Sequence, residues 1–408
     1  MSVTSPEAEV VSPPPAAPGV QQVAAAVTLQ PRILFLVNSL VTGGAERQAI
    51  SLLNSLDCQT FHLSLGYLKP DTALLPQLKR ERLDGLLSLD VRHKLDLRAL
   101  RELTRHIDEH KIDVVVSTNQ YSALYAMLAG RRAKRPPQQM EVFHTTIPQS
   151  LKESAQMLVY RALFRRLDLL VYVSQLQRQY WNARGLRARR ELVIHNGINT
   201  EHFTDTFTAQ QKCELRKRYG FEQSDYLIGI CAALRPEKAH GDLLQALAAL
   251  RSAGQPAKGL IIGEGPERAF IERRIGELDL AQHVIITGLQ RDVRPFLAAC
   301  DVLTLTSHAV ETFSLAALES MSMGKPVILS EVGGAAEQVQ PGVNGLLFAP
   351  GDIAALVSAL TKLTSPQLRA QLAVAAAARV RSQFTEGAMT SAYAAQLQSL
   401  AAAHQRDG

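Results

Sequence analysis

Residues 302–329 read VLTLTSHAVETFSLAALESMSMGKPVIL. The run Val302–Leu305 has the composition of a short strand, and Thr306 and Ser307 follow it. Ser314 stands where a helix N-cap is needed, and the residues after it predict a helix running to Met323. A second strand, Val327–Leu329, comes next. Strand, helix and strand in so short a span is the repeating unit of a parallel α/β sheet.

The same rhythm extends outward in both directions. Upstream lie the runs Leu227–Ala232, Gly259–Ile262 and Val284–Thr287, with helical segments between them. Beyond a polar stretch, Asn199–Gln210, an earlier series contains Ile33–Val37, Val114–Ser117, Val142–His144, Leu169–Val173 and Leu192–His195. Two tandem units of this kind suit 408 residues, at roughly 100–200 residues per domain. The expected organisation is a disordered tail over 1–30, rich in Pro and Ala, an N-terminal domain over 31–205 and a C-terminal domain over 206–385. A last helix over 386–408 would pack back on the N-terminal domain. Ligands of such sheets bind beyond the carboxyl ends of the strands, in the cleft between the units.

Composition narrows the class. Hydrophobic residues make up 46%, and aromatic ones only 5%, which suits helices packed on sheets. Cys58, Cys213, Cys231 and Cys300 are far apart and form neither a zinc pattern nor a disulfide framework. The first thirty residues carry no Lys or Arg, and no apolar run approaches the ~18–20 residues of a membrane span. A cytoplasmic protein is expected. Between 31 and 200 there are 25 Lys and Arg against 15 Asp and Glu, a net of +10 in a chain of net +6. This one-sided field predicts an anionic partner.

Residues 311–324 also carry chemistry. Eight residues separate Glu311 from Glu319; on one continuous helix they would lie ~80° apart, so joint use requires the break from loop to helix. The N–H groups of Phe313, Ser314 and Leu315 at the helix start would meet diphosphate or sugar oxygens, while the carboxylates accept hydroxyl hydrogen bonds. The bland alternative is a pair of solvated glutamates. The whole string resembles the E-x-[FY]-[GS]-x-x-x-x-E signature, followed by small-Gly-x-Pro-Val, of the retaining glycosyltransferases of family 4. That resemblance implies the GT-B fold, two facing Rossmann-like domains with parallel sheets and an interdomain cleft, over nearly all of 31–400. It assigns Glu319 to ribose hydroxyls and Glu311 to the transferred sugar.

Other stretches fit the same resemblance. Gly43 and Gly44, in a turn that opens a helix, resemble the family's G-G-x-E loop, which faces the donor diphosphate. Arg235 and Lys238 follow a strand, where they would neutralise a diphosphate leaving group; the family's Arg usually sits two places earlier, at the position of Ala233. His144 matches the family's sugar-contacting histidine. Gly263 and Gly265 resemble a G-x-G-P turn, and main-chain groups from Gly288 to Asp292 would recognise the nucleobase. Gly333, Gly334 and Glu337 would form another donor-side loop, Gly342–Gly345 a tight turn, and Asn196–Asn199 a hinge. Apart from the resemblance, Arg161, Arg165, Arg166, Arg184, Arg187, Arg189 and Arg190, beside Leu158, Leu163 and Phe164, read either as a solvated helix face or, given the net +10 of this half, as a surface that docks on an anionic membrane at its inner face.

The chain contains no D-x-D motif, so no metal and no other cofactor is expected. The expected activity is retaining, metal-independent transfer of a hexose-type sugar from a nucleotide-diphosphate sugar to a saccharide or lipid-linked acceptor, in polysaccharide or glycolipid assembly. The same architecture also serves nucleotide-sugar epimerases and sugar phosphorylases, and a non-catalytic interaction protein stays open. No nucleic-acid partner is expected, since the basic residues have no aromatic interleaving.

Overall fold

The computed structural model describes residues 30–407 apart from Thr42, Thr146, Ile147, Gln149 and Val310; the tail expected over 1–30 lies outside the described residues except for Gln30. The first half runs β1 (Arg32–Val37), α1 (Gly44–Ser55), β2 (His62–Tyr67), β3 (Gly85–Ser88), α2 (Leu97–Glu109), β4 (Val114–Thr118), α3 (Gln120–Gly130), β5 (Gln138–Phe143), α4 (Leu151–Phe164), β6 (Leu169–Tyr172), α5 (Gln175–Ala183) and β7 (Glu191–Val193). The second half begins with α6 (Ala209–Arg218), β8 (Tyr226–Cys231), α7 (His240–Ser252), β9 (Ala257–Ile262), α8 (Arg268–Glu277), β10 (Val284–Ile286), α9 (Arg294–Ala299) and β11 (Val302–Leu305). It ends with α10 (Leu315–Ser322), β12 (Val327–Ser330), α11 (Ala335–Gln338), β13 (Leu346–Phe348), α12 (Ile353–Lys362), α13 (Pro366–Gln383) and α14 (Glu386–Asp407).

The strands form two parallel sheets, ordered β3-β2-β1-β4-β5-β6-β7 and β10-β9-β8-β11-β12-β13. Each order reverses once, at β1/β4 and at β8/β11, and doubly wound sheets bind ligands at that switch point. Central strands are apolar on both faces because helices cover both. In β1, Ile33, Phe35 and Val37 join one core while Leu34 and Leu36 join the other, under α2 and α3.

Three strands escape the sequence reading. In β2, Ser64 and Gly66 interrupt the leucines, yet both are buried, and Gly66 lies where a Cβ would press on the Leu36 side chain. β3 is a half-exposed edge of four residues, and β13 has only three. β5 starts at Gln138, upstream of the expected Val142, because the sheet buries the polar Gln139 and Glu141.

The halves are joined twice. Ile198 N–H donates to the Phe384 carbonyl at 3.0 Å and Glu386 N–H to the Ile198 carbonyl at 2.8 Å, so the outgoing and returning segments pair. Gly197 permits this approach, since a Cβ there would strike the Thr385 carbonyl. α14 then packs against α1 and against β4 and β5 of the first sheet, and Arg190 donates to Gln396 at 2.9 Å and Arg135 to the His404 carbonyl at 3.0 Å. Among the described residues, no helix is long and apolar enough to cross a membrane.

Candidate active site

The switch point of the second sheet is bounded by the loops after β8 and β11. After β8 the chain makes a 3-10 turn, Pro236–Lys238, and Ala239 takes a left-handed conformation (φ 46°) to enter α7. The Thr306 hydroxyl lies within bonding distance of the Lys238 and Ala239 carbonyls, at 2.9 and 3.0 Å, and His308 N–H donates to the Glu237 carbonyl at 2.9 Å. These bonds tie the two loops together and set Lys238 Nζ 2.6 Å from Glu311 Oε2, which also accepts from the Ser307 hydroxyl at 3.1 Å. Arg235, at the start of the turn, is exposed.

Ser314 caps α10, its hydroxyl accepting from Ala317 N–H at 3.3 Å. The N–H groups of Phe313, Ser314 and Leu315 have no acceptor among the described residues, and they point from a helix start carrying positive partial charge. The Phe313 ring is core: it stacks on His195 at 4.7 Å and meets Phe384 edge-on at 5.2 Å. Only its main chain is therefore placed to serve a ligand.

The glycines of the C-terminal loops are explained by contacts within the protein. A Cβ on Gly263 or Gly265 would strike the carbonyls of Ala232 and Leu234, and Gly263 N–H donates to the Gly288 carbonyl at 3.1 Å. The loops after β8, β9 and β10 are thus stitched into one rim. Asp292 has a local partner: the Arg294 side chain bonds it at 2.8 Å and, with the N–H of Arg294, holds its carboxyl below the usual range. Gly333 and Gly334 press on the backbone of Glu311–Phe313, with Gly334 N–H donating to the Thr312 carbonyl at 2.7 Å.

From the N-terminal side, Gly43 is the extended N-cap of α1, and the Glu46 carboxylate folds over it. Burial raises the Glu46 carboxyl, opposed in part by the Arg235 charge. His144 lies just past β5; burial lowers its pKa to about 4, so the ring is neutral at pH 7. Its Nε2 lies 2.9 Å from Gln48 Oε1, and its carbonyl accepts from the Thr312 hydroxyl at 3.3 Å. Glu319 is 1% exposed and paired with the Arg47 guanidinium across the cleft. The sequence reading missed Arg47, Gln48 and Thr312 as cleft residues; the available signal was their position beside Gly44 and Glu311.

Glu337, expected in a donor-side loop, joins the domains. Its carboxylate accepts from the Gln175 and Leu176 N–H groups, both at 2.9 Å, and meets His195 Nε2 at 2.8 Å. Burial pushes its pKa up, but His195 and the two amides outweigh this and hold it below the ordinary value. A depressed folded-state pKa stabilises above the unfolded value and loses that contribution as pH falls through the folded one. Glu337→Gln should therefore lower Tm at pH 7, and the gap to wild type should close in melts below about pH 4.

Phe164, expected beside the basic surface, is fully buried; the large apolar residues exposed on α4, among the described side chains, are Leu158 and Val159, followed by exposed Arg165 and Arg166. Among the described residues no group of three His, Cys, Asp or Glu is arranged to hold a metal ion.

Residues 211–379 match the family "Glycosyl transferases group 1", and residues 42–202 match "Glycosyltransferase Family 4". The chain belongs to the group 1 glycosyltransferases. This glycosyltransferase is 27% identical over 301 residues to EpsD of Bacillus subtilis, named as a glycosyltransferase, covering 70% of this chain and 77% of EpsD. It is 32% identical over 181 residues to the N-acetyl-alpha-D-glucosaminyl L-malate synthase of Bacillus anthracis, covering 44% and 47% of the two chains. HepE of Anabaena shares the GT-B fold of the transferase, with a TM-score of 0.79 at 24% identity over 90% of this chain and 100% of HepE.

Proposed function

We propose that this transferase moves a hexose-type sugar from a nucleotide-diphosphate sugar to a saccharide or lipid-linked acceptor, with retention and without a metal. The observation that carries the reading is the meeting of Lys238 and Glu311, at 2.6 Å, beside the unbonded N–H groups of Phe313–Leu315. A cation, a carboxylate and a helix start at a sheet's switch point match the parts of the donor: diphosphate, sugar hydroxyls and their junction. HepE has been crystallised with UDP and with UDP-glucose, which supports a donor of this class.

In this reading the bond from the anomeric carbon to the diphosphate oxygen breaks with oxocarbenium-like character. Lys238, Arg235 and the helix starts at Gly44 and Leu315 stabilise the charge developing on the diphosphate. The acceptor hydroxyl attacks from the face of departure and gives its proton to the leaving phosphate oxygen. Glu311 orients the sugar, and His144 contacts it from the other domain. Glu319 reaches the ribose only after parting from Arg47, and closure of the domains over the donor excludes water. A screen of UDP- and GDP-sugars against saccharide and lipid acceptors, read by mass spectrometry with and without EDTA, tests this. Acceptor-dependent product unaffected by EDTA is expected; turnover of donor alone, or dependence on metal, contradicts it.

The exposed face of α4, with Leu158 and Val159 followed by Arg165 and Arg166, supports peripheral docking on an anionic surface. Each basic residue near such a surface contributes about 1 kcal/mol. Co-sedimentation should rise with the anionic lipid content of vesicles and fall in Arg165→Glu/Arg166→Glu; insensitivity to both removes the proposal.

A further inference from the structure

The Phe313 carbonyl, in the loop between Glu311 and α10, can only accept hydrogen bonds, and Asn196 Nδ2 donates to it at 2.9 Å. That fixes Asn196 Oδ1 as the atom facing Gln48, whose Nε2 donates to it at 2.8 Å and to the Tyr393 hydroxyl at 3.2 Å. Gln48 Oε1 is then the atom left facing His144, 2.9 Å from its Nε2. An amide oxygen only accepts, so the proton of a neutral ring must sit on Nε2. Turning over either amide would set oxygen against oxygen inside a site where Gln48, Asn196 and Tyr393 are 2%, 4% and 0% exposed.

We propose that Gln48, Asn196 and Tyr393 are positioning residues that hold His144 as its Nε2–H tautomer, leaving Nδ1 as a lone-pair acceptor for a hydroxyl of the bound sugar or acceptor. The inference rests on the transferase reading, which supplies that hydroxyl. No described residue bonds His144 Nδ1. The relay joins α1, the outgoing linker and α14, and it ends on the loop carrying Glu311. The relay therefore links the His144 ring, through Gln48 and Asn196, to the loop that carries Glu311. Burial keeps the ring neutral, so its state at pH 7 is set by which nitrogen holds the proton.

Long-range proton–nitrogen NMR correlations of the full chain labelled with nitrogen-15 histidine test this directly, with His144 assigned from the signals lost in His144→Asn. The wild-type ring should be the Nε2–H tautomer at pH 7. Gln48→Met, which keeps length but has no amide, should give a mixture of tautomers. Gln48→Glu should raise the ring's pKa by about 1–3 units through the added carboxylate. An Nδ1–H ring in the wild type, a pure Nε2–H ring in Gln48→Met, or an unmoved titration in Gln48→Glu overturns the relay. The wild-type spectrum needs no variant to fold and no substrate, so its outcome is separate from that of the donor screen.

Discussion

Lys238→Ala is expected to lower kcat by about 10²–10³-fold, the scale seen when one preorganised stabiliser of developing charge is removed. Two effects act together. In the proposed mechanism the departing diphosphate loses a half-buried cation, and Glu311 loses the partner that fixes its carboxylate at 2.6 Å, which leaves Ser307 as its side-chain partner among the described residues. Lys238→Arg keeps the charge but not the compact ammonium, and partial recovery would separate charge from geometry. Steady-state kinetics with the donor found by the screen make the measurement. A kcat within a factor of two or so of wild type in Lys238→Ala would mean that the leaving group is stabilised elsewhere.

Gly333→Ala is expected to cost about 2–5 kcal/mol of stability and to disorder the donor loop. The left-handed backbone at Gly333 (φ 55°) penalises any Cβ by about 1–2 kcal/mol. That Cβ would also collide with the Glu311 carbonyl, and overpacking of this kind typically adds about 1–3 kcal/mol. The backbone can move only by shifting Glu311–Phe313, so activity should fall along with Tm. Thermal melts of Gly333→Ala beside Gly342→Ala provide the contrast: Gly342 is also left-handed (φ 77°) but a Cβ there meets open space. Equal losses in both would show that strain alone, and not the contact with Glu311, accounts for Gly333.

How much of this was legible in the sequence follows from what each feature depends on. β11, α10 and β12 could be read because an apolar run, an N-cap serine and a proline are local signals, and Ser314 caps the helix as its position implies. β2 could not, because Ser64 and Gly66 are buried for reasons supplied by neighbouring strands. Among the proposed site residues, Lys238 and Glu311 were found because each follows a strand of one sheet, and adjacent strands bring their loops together. Arg47, Asn196 and Glu337 are different: their partners Glu319, Phe313 and Gln175 lie in the other half of the chain. Nothing local in a sequence encodes a partner that only domain packing supplies. The same packing explains Phe313, an aromatic in a binding motif whose ring is spent on the core beside His195.

The electrostatics of the cleft follow the same division. Arg47 and Glu319 come from opposite domains and neutralise each other, so in the proposed reading the pair must part before Glu319 can meet a nucleotide. The pairing also keeps Glu319, nearly inaccessible, from standing as an unpaired buried carboxylate.

Calorimetric titration of UDP and GDP into the wild type, Lys238→Ala and Glu319→Ala tests the central claim most directly, that the Glu311–Glu319 segment and Lys238 hold the nucleotide. The account predicts that one of the two nucleotides binds the wild type and binds each variant at least about tenfold more weakly, a difference of about 1.4 kcal/mol. Wild-type affinity in both variants would contradict it.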